Sequence, residues 1–563
     1  MHDIVIRGGT VVDGSGLPAF PADIGITGDV ITAIGRIRSE GRREIDARGK
    51  IVSPGFIDGH AHVDAQINWD PLGTSSCWQG VTTLVMGNCG FTLAPSRADA
   101  RGLVVRNLER AEDISAAAMA QGIEWKWETF PEYLDVLDAL PKGLNHAVYM
   151  GHSALRTWAM GSRAFEEQAS DDDMALMLGQ LRAGLDAGAI GFSTSRSINH
   201  ETSDDKPVAS RVGDWNEVRA LVNSMGGGVF ELAISNDMRN LDPDLRRAGT
   251  ALLKDLAVES GIPLTFGTVM GTVSNPDVWR SHLRLLDETA AAGGVMFGQS
   301  HSRDVTVLLS FRSNLPFDKL PLWKQFRAQP LDAQRAQLRD PAIRARLEEE
   351  ANNGPYGRAI GTEARAPKWQ SIYYYDQPLP PHRSIAEIAA ERGTSPVATF
   401  IDLALESDLE CFFQQYIDRF DRDSLEEIMR HPRTIMTFSD TGAHVGQISD
   451  CSIFAHMLGY WVRQTGRFTL EEAIRMMTLA PARAWGFADR GLLRPGMKAD
   501  VVVFDAARIS PDMPQVVHDL PGGARRLLQR ASGIEAVLVN GSVLMEHGEH
   551  SGALPGRLLR RAA

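Results

Sequence analysis

The sequence of 563 residues has few cysteines, no excess of basic residues and no long hydrophobic run. Its four cysteines are widely spaced, so a disulfide framework is not expected and a reducing compartment is favoured. Lysine and arginine number 58 against 71 acidic residues, and the resulting net charge of −13 disfavours binding to nucleic acid or to an anionic membrane surface. The start of the chain does not resemble a signal peptide, and no apolar stretch is long enough to span a bilayer. These absences predict a soluble, cytoplasmic protein.

The composition is that of a large folded protein. Hydrophobic residues make up 43% of the chain and charged residues 23%. This balance can bury a large core and excludes wholesale disorder. The length suits one large catalytic domain with attached parts.

The two ends of the chain share a pattern of short apolar strands separated by turn residues. The candidate strands are residues 3–7, 10–12, 22–26, 30–34, 499–504 and 534–539. Gly8-Gly9 is expected to turn the chain, and Asn540-Gly541 is typical of a hairpin turn. We therefore expect residues 1–54 and 488–563 to form one small β-sandwich domain together.

The middle of the chain alternates apolar strands with helical stretches. The strand candidates are Ile51–Asp58, Thr82–Gly87, His146–Gly151, Ala189–Ser193, Gly228–Ala233, Pro263–Val269, Gly294–Gln299 and Thr434–Ser439. The clearest helical stretches are residues 171–187, 216–225, 242–260 and 276–292. Repeated β-then-α units predict an α/β fold, a (β/α)8 TIM-like barrel over residues 55–487, with its chemistry at the carboxyl ends of the strands.

The connection between the seventh and eighth strand candidates is too long for a bare barrel. A normal crossover needs about 20–30 residues with its helix. We place an insertion at about residues 311–380, which contain a charged helical stretch at 331–352 and the aromatic run Tyr373–Tyr375. Such a segment is typical of a lid or small subdomain over a site.

Two histidines follow the first barrel strand in the sequence Gly55-Phe56-Ile57-Asp58-Gly59-His60-Ala61-His62. Side chains two residues apart on a strand point the same way, so His60 and His62 present two imidazoles to one point at the barrel mouth. This arrangement suits a divalent metal such as zinc. The alternative is a pair of structural or surface histidines.

The second strand ends at Gly87-Asn88-Cys89-Gly90. Cys89 is therefore expected at the barrel mouth, where a thiolate is a soft ligand and can bridge two metals. A cysteine taken alone is more often buried and inert, and the other three cysteines are interpreted in that way.

The eighth strand ends at Ser439-Asp440-Thr441-Gly442-Ala443-His444. Asp440 can bind the metal, take the proton of the attacking water and pass it to the leaving group. The alternative is a helix cap at a strand–loop junction. Two other metal-like strand ends favour the catalytic interpretation.

Several motifs resemble those of the amidohydrolase superfamily. They are Val11–Gly14, Pro54–His62, Ser439–His444, Leu479–Gly486 and Gly491–Asp500. Within the superfamily the chain is similar to the N-acyl-D-amino-acid deacylases, through Gly87–Gly90, Gly151–Arg156, Gly191–Ser195 and Leu554–Arg557. The resemblance implies an N-acyl-D-amino acid as substrate, one or two zinc ions, and a cysteine where many relatives use a carboxylated lysine.

The chain departs from that family at strands five and six. The family usually places a histidine at the end of each, but residues 227–233 and 263–269 contain none. Glu231 could stand in as an oxygen ligand, or it could be a buried carboxylate paired with Arg239 or Arg303. We therefore favour one metal held by His60, His62 and Asp440, with Cys89 near or bound, and leave a second metal open.

An N-acyl amino acid carries a carboxylate, which an arginine can bind through two parallel hydrogen bonds. The candidates that follow strand ends and could bind substrate are His152, Arg156, Ser193, Arg196, His200 and Arg303. His444 is expected to hold the Ser439–His444 loop and to adjoin the substrate. The alternatives are surface salt bridges and structural or solvated loop histidines.

These observations favour metal-assisted hydrolysis of an amide bond in a small-molecule substrate. A second hypothesis keeps the fold and changes the bond to that of a lactone, a cyclic imide or another amide. A third is a non-catalytic relative that uses the barrel as a scaffold and binds no metal. The sequence leaves the oligomeric state open, with a homo-oligomer among the options.

Overall fold

The computed structural model describes residues 1–267, 275–357, 365–418, 421–447 and 450–561. Its strands are β1 (His2–Val11), β2 (Phe20–Thr27), β3 (Val30–Gly35), β4 (Gly41–Asp46), β5 (Ile51–Pro54), β6 (Phe56–Asp58), β7 (His60–Ala61), β8 (Val81–Met86), β9 (Asn145–Gly151), β10 (Gly191–Ser195), β11 (Val229–Ala233), β12 (Leu264–Phe266), β13 (Met296–Ser300), β14 (Val305–Leu309), β15 (Ile372–Tyr375), β16 (Arg383–Ser384), β17 (Phe412–Asp418), β18 (Thr434–Met436), β19 (Phe438–Thr441), β20 (Val501–Phe504), β21 (Ser510–Pro511), β22 (Gln515–Leu520), β23 (Ala524–Leu528), β24 (Ala531–Ser532), β25 (Ile534–Val539), β26 (Ser542–Glu546) and β27 (Glu549–His550).

Helices lie between most of these strands. They are α1 (Arg101–Glu112), α2 (Ala116–Gly122), α3 (Phe130–Ala139), α4 (His152–Met160), α5 (Asp171–Asp186), α6 (Ala209–Val212), α7 (Trp215–Asn223), α8 (Pro243–Ser260), α9 (Pro276–Ala291), α10 (Pro321–Arg327), α11 (Leu331–Arg339), α12 (Pro341–Asn353), α13 (Ile385–Arg392), α14 (Pro396–Glu406), α15 (Arg422–Arg430), α16 (Ile453–His456), α17 (Leu470–Met477) and α18 (Leu479–Ala484). A π-helix, Met457–Gln464, continues α16. No helix of the described residues has the length and apolar character needed to cross a bilayer.

A curled sheet of eight parallel strands forms the centre of the mixed α/β fold. The strand order is β18-β13-β12-β11-β10-β9-β8-β6. The short strands that continue the two ends of this sheet, β7 and β19, pair in parallel, with His60 opposite Phe438. The sheet therefore brings the residues that follow its first and last strands together.

Five of the strands predicted for this sheet are confirmed, as β8, β9, β10, β11 and β13. Of Pro263–Val269, residues 264–266 form β12 and residues 268–269 lie outside the described residues, and Thr434–Ser439 is divided into β18 and β19 at Thr437. The predicted strand Ile51–Asp58 is broken at Gly55, where a Cβ atom would lie 2.1 Å from the Thr82 side chain. Residues 51–54 belong to another sheet, and only residues 56–58 enter the central one. The second of its strands, β8, is buried at every position, as expected for a parallel strand that is covered on both faces.

The four helical stretches predicted between the strands are confirmed as α5, α7, α8 and α9. Their starts follow from capping residues, such as Ser170, whose hydroxyl accepts the N–H of Asp173. At α8, Asp242 caps the helix and Pro243 fills its first turn.

Strands from both ends of the chain interleave in one nine-stranded sheet, in the order β27-β26-β25-β20-β5-β1-β2-β3 with β4 beside β1. The predicted hairpin at Asn540-Gly541 is confirmed, since Val539 pairs with Ser542. The predicted turn at Gly8-Gly9 is wrong. Strand β1 runs through both glycines with a register shift after Ile6, which is a bulge that the positive φ of Gly8 (65°) allows.

The chain between β13 and β18 has its own hydrophobic cluster, which includes Phe311, Trp323, Phe400 and Phe413. A four-stranded antiparallel sheet in the order β14-β17-β15-β16 lies in this segment. The strands of this sheet begin at residue 305 and end at residue 418, so they extend beyond both ends of the insertion predicted at about residues 311–380. The helix expected over 331–352 is two helices, because Asp340 caps a new helix that starts at Pro341.

Candidate metal centre

His60 and His62 lie on and just after β7, where the parallel pairing with β19 holds the chain. The N–H of Gly59 donates to Oγ1 of Thr437 at 2.6 Å, and the Thr437 hydroxyl donates to the carbonyl of Ile57 at 2.9 Å. Both imidazoles are buried. The first and last strands of the central sheet thus fix the backbone that carries both rings.

Cys89 adopts a left-handed backbone conformation, with φ 57°. Such a conformation is uncommon for a residue with a Cβ, and its neighbours hold it in place. The N–H of Cys89 donates to Oε2 of Glu231 at 2.7 Å, and the N–H of Gly90 donates to the Ser193 hydroxyl at 3.0 Å. The Ser193 hydroxyl in turn donates to the carbonyl of Gly87. Ser193, predicted to bind substrate, instead supports the loop that presents Cys89.

The side chains of His60, His62 and Cys89 converge. One potential ligand atom from each lies within 4.8 Å of the others. Sγ of Cys89 is 3.3 Å from Nε2 of His60. These three residues were predicted from separate parts of the sequence, and the structure brings them together.

Asp440 faces the same point. Its Oδ1 lies 3.1 Å from Nε2 of His62 and 3.8 Å from Nε2 of His60. Burial alone would raise the pKa of Asp440, but the hydrogen bond with His62 and the electrostatic interaction with the neighbouring imidazoles outweigh it and hold the pKa well below its usual value. Asp440 is therefore a carboxylate at neutral pH.

A hydrogen bond orients the ring of His60. Its Nδ1 lies 3.0 Å from Oε1 of Gln299, whose amide nitrogen donates to Oγ1 of Thr265 at 3.2 Å. An amide oxygen only accepts, so Nδ1 carries the proton and Nε2 keeps its lone pair for the shared space. Burial lowers the pKa of His60 well below its usual value, so the ring is the neutral form that binds metals.

Glu231 lies close to this group. Its Oε2 accepts the N–H of Cys89, and its Oε1 lies 3.9 Å from Nδ1 of His60 without a hydrogen-bond partner among the described residues. Burial raises the pKa of Glu231 to about 8. The alternative pairing with Arg303 is not found, because that arginine donates to Ser452 and Thr306.

The donor set fits a zinc ion. Two imidazoles, a thiol and a carboxylate are ligands that zinc accepts. Burial and the neighbouring carboxylates raise the pKa of the Cys89 thiol well above its usual value. A bound cation reverses that penalty, because a coordinating thiol is deprotonated. The buried set of two imidazoles, a thiol and a carboxylate is thus complementary to a cation.

A cavity of about 310 Å³ opens onto the group. His62, Cys89 and Asp440 form part of its lining, together with His200 and His444. The apolar part of the lining includes Phe91, Ile234, Val305, Ile417 and Phe438. A larger cavity of about 660 Å³ lies at the opposite ends of strands β13 and β18, away from the convergent ligands.

Two of the predicted substrate-binding residues, His200 and His444, line this cavity. His200 Nδ1 is 2.6 Å from the Ser195 hydroxyl, and burial lowers the pKa of His200 to about 3. The left-handed backbone of His444, with φ 47°, is held by an N–H bond to the carbonyl of Ala111 at 3.1 Å.

The other predicted cations do not line the cavity. Arg156 and His152 both bond to the buried carboxylate of Glu217, His152 through Nε2 at 2.8 Å. Arg196 donates to the carbonyl of Gly213, and its guanidinium lies 5.6 Å from the Trp215 ring centre. These side chains follow strand ends, but the chain turns them into the layer between the sheet and its helices.

Sequence reasoning did not identify four residues at the site. Arg239, proposed only as a partner of Glu231, and Arg365 supply the cations of the cavity lining. Gln299 orients His60, and Glu112 lies 3.8 Å from His62. Gln299 ends a predicted strand, which is a signal that could have found it, whereas Arg365 and Glu112 lie outside any recognisable motif.

Comparisons with known proteins show the family of the chain. A profile of the amidohydrolase family matches residues 43–545. The chain is 28% identical to a D-aminoacylase of Alcaligenes xylosoxydans xylosoxydans, over 100% of this chain and 98% of the relative. It is 30% identical to an N-acyl-D-glutamate deacylase of the same organism, over 100% of this chain and 97% of the relative.

A solved structure is similar over nearly the whole chain. It is the N-acyl-D-glutamate deacylase of Bordetella bronchiseptica, complexed with zinc and with a phosphonate inhibitor that mimics the tetrahedral intermediate of the reaction. The TM-score is 0.65 at 26% identity, with 99% of each chain covered. The similarity therefore includes the segments that carry all four convergent side chains.

Proposed function

Because the chain belongs to the amidohydrolase family, we propose that it is a zinc-dependent hydrolase that cleaves the amide bond of N-acyl-D-amino acids. The observation that carries this proposal is the convergence of His60, His62, Cys89 and Asp440 beside one cavity. The substrate class follows from relatives of nearly equal length that are named for the removal of acyl groups from D-amino acids.

In this proposal one zinc ion is held by His60, His62 and Asp440, with Cys89 as a further ligand. Glu231 is the candidate for a second cation, because its Oε1 is buried and has no hydrogen-bond partner in the part of the chain that the structure describes. When bound, zinc polarises the amide carbonyl and makes a water molecule a stronger nucleophile at neutral pH.

Asp440 is the proton carrier. Its low pKa keeps the carboxyl group ionised, so that it can accept the proton of the attacking water. The same carboxyl then delivers that proton to the nitrogen of the leaving amino acid. Gln299 keeps the lone pair of His60 Nε2 directed at the centre, and Ser193 holds the loop of Cys89.

The substrate carboxylate is assigned to the cations of the cavity, Arg239 and Arg365. His200 and His444 lie beside the ligands and are placed to contact the amide. The apolar side of the lining, with Phe91 and Ile417, suits the acyl group or an apolar amino-acid side chain. This assignment replaces Arg156, Arg196 and Arg303.

The finer architecture is also part of the proposal. Residues 55–487 are assigned to a (β/α)8 barrel, which the pairing of β7 with β19 supports. Residues 1–54 and 488–563 are assigned to one β domain, supported by their shared sheet. The segment between β13 and β18 is assigned to an insertion with a core of its own.

The test is a panel of N-acetyl-D-amino acids and their L enantiomers, given to the zinc-loaded protein while free amino acid is measured. We expect release from the D series only. The panel also includes a lactone and a cyclic imide, which test the second hypothesis. A zinc-loaded protein that leaves every D substrate intact would overturn the proposal.

A further inference from the structure

On the Nδ1 side of His62 lies a group of buried polar atoms that have no hydrogen-bond partner among the described residues. They are Nδ1 of His62, both carboxyl oxygens of Glu112, Oδ1 of Asp64 and the hydroxyl of Tyr133. Nδ1 of His62 lies 3.8 Å from Oε1 of Glu112. Asp64 interacts electrostatically with both His62 and Glu112.

A fully buried carboxyl group without a partner is costly, so it needs a reason. Glu112 is the last residue of α1, and the carbonyls of this helix end hold the loop after β19. The N–H of His444 donates to the Ala111 carbonyl and that of Val445 to the Glu112 carbonyl, both at 3.1 Å. Glu112 therefore faces one ligand with its side chain while its backbone anchors the loop that follows Asp440.

The two histidines of the centre differ in what faces Nδ1. Nδ1 of His60 faces the neutral amide of Gln299, whereas Nδ1 of His62 faces a carboxyl group. A cation on Nε2 requires the proton to be on Nδ1, and that proton needs an acceptor. Carboxylate acceptors at this position fix the ring and increase the basicity of the ligand nitrogen.

We propose that Glu112 is a positioning residue for the metal ligand His62, accepting the Nδ1–H of His62 and thereby aiming Nε2 at the cation. The assignment rests on the metal centre of the proposed function. The distance of 3.8 Å between Nδ1 of His62 and Oε1 of Glu112 exceeds the upper end of a normal N–H···O distance, about 3.2 Å, by less than an ångström. A small shift of either side chain would therefore bring the two atoms into hydrogen-bond contact. Direct contact is favoured, because a bridging water would hold the two atoms roughly 4.6 Å apart.

The experiment measures zinc affinity rather than turnover. Metal-free wild-type protein and Glu112→Gln are titrated with zinc against a chelator of known affinity. We expect the dissociation constant to rise about 10–100-fold in the variant. The absorption bands of the cobalt-loaded protein should also shift, because the ring of His62 is no longer held by a carboxylate.

Asp500→Asn is the matched control. Asp500 is also buried, but it bonds to Arg490 and to the N–H of Asn540, in a network apart from the centre. Its variant loses a buried carboxylate and should bind zinc within about twofold of wild type, the ordinary scatter around an unchanged affinity. Wild-type zinc affinity in both Glu112→Gln and Glu112→Leu, the second of which has no acceptor for the Nδ1–H, would overturn the assignment.

If Glu112→Gln does not fold, Glu112→Asp decides, since it keeps the charge and draws the carboxylate back by one methylene. We expect it to bind zinc more weakly than wild type, and unchanged affinity would again overturn the assignment. No substrate enters these measurements. A wild-type protein that binds zinc but cleaves no amide would therefore refute the hydrolase and leave the role of Glu112 standing.

Discussion

Sγ of Cys89 lies 3.3 Å from Nε2 of His60, although the two residues follow different strands of the central sheet. The thiol is directed there by an unusual backbone conformation that Glu231 and Ser193 hold in place. A strained residue that presents a soft donor to a buried imidazole is typical of a functional site. The first prediction concerns this thiol.

Cys89→Ser should lower the zinc content of the purified protein, because a hydroxyl is a poorer zinc ligand than a thiolate. Elemental analysis after dialysis against a weak chelator measures the zinc bound per chain. Cys77→Ser is the control, since Cys77 is equally buried but lies outside the convergent group. Equal zinc content in the two variants would show that Cys89 is not a ligand.

Asp440→Asn should abolish turnover while the fold is retained. The amide cannot accept the proton of the attacking water, and loss of a proton carrier costs about 10²–10⁴-fold in rate. The measurement is kcat on the preferred N-acetyl-D-amino acid with excess zinc, with circular dichroism as the check on folding. A variant that keeps a near-normal kcat would exclude Asp440 as the proton carrier.

Arginine variants separate binding from stability. Arg239→Ala should raise KM more than it lowers kcat, because Arg239 lines the cavity. Arg156→Ala should instead destabilise the fold by about 3–5 kcal/mol, since it leaves the buried carboxylate of Glu217 without its guanidinium. Denaturant unfolding and steady-state kinetics on both variants provide the comparison, and the reverse pattern would contradict the assignment.

The metal-free protein should lose stability as the pH rises. Burial raises the pKa of Glu231 from an ordinary value of 4.5 to about 8. The stability that this raised pKa gives the folded protein is therefore fully present below the pKa of the unfolded chain, 4.5, and is lost as the pH rises through about 8. The melting temperature should fall less in Glu231→Gln than in wild type between pH about 5 and about 8, because there the carboxyl is ionised in the unfolded chain and protonated in the folded one.

The other buried acids are common to both proteins, so the difference between the two curves isolates Glu231. Asp58 and Asp64, for example, each have a pKa that burial raises to about 7. Zinc is left out of this experiment because the cation would change the charge around Glu231. Parallel curves for the two proteins would show that Glu231 keeps an ordinary pKa.

The four convergent side chains were predictable because their signals are local. The period of a strand places His60 and His62 on one side, and strand ends at Cys89 and Asp440 point to the same rim. The helices and the hairpin at Asn540-Gly541 follow from capping and turn residues in the same way. None of these predictions needed knowledge of distant contacts.

The arginines that line the cavity were not predictable, because their positions depend on packing between distant segments. Arg156 and Arg303 follow strands as expected, but buried partners such as Glu217 and Ser452 hold them away from the cavity. The need for glycine at position 55 likewise comes from the close approach of the Thr82 side chain across the sheet. Glu112 carries no local signal, because its proximity to His62 arises only in the folded chain.

The most direct test of the account is a zinc titration of the metal-free protein while hydrolysis of an N-acetyl-D-amino acid is followed. We predict no hydrolysis without metal, a rise in rate up to one zinc per chain, and no rise in His60→Ala at the same zinc concentrations. Hydrolysis at the full rate by the metal-free protein, or undiminished activation of His60→Ala, would contradict the central claim.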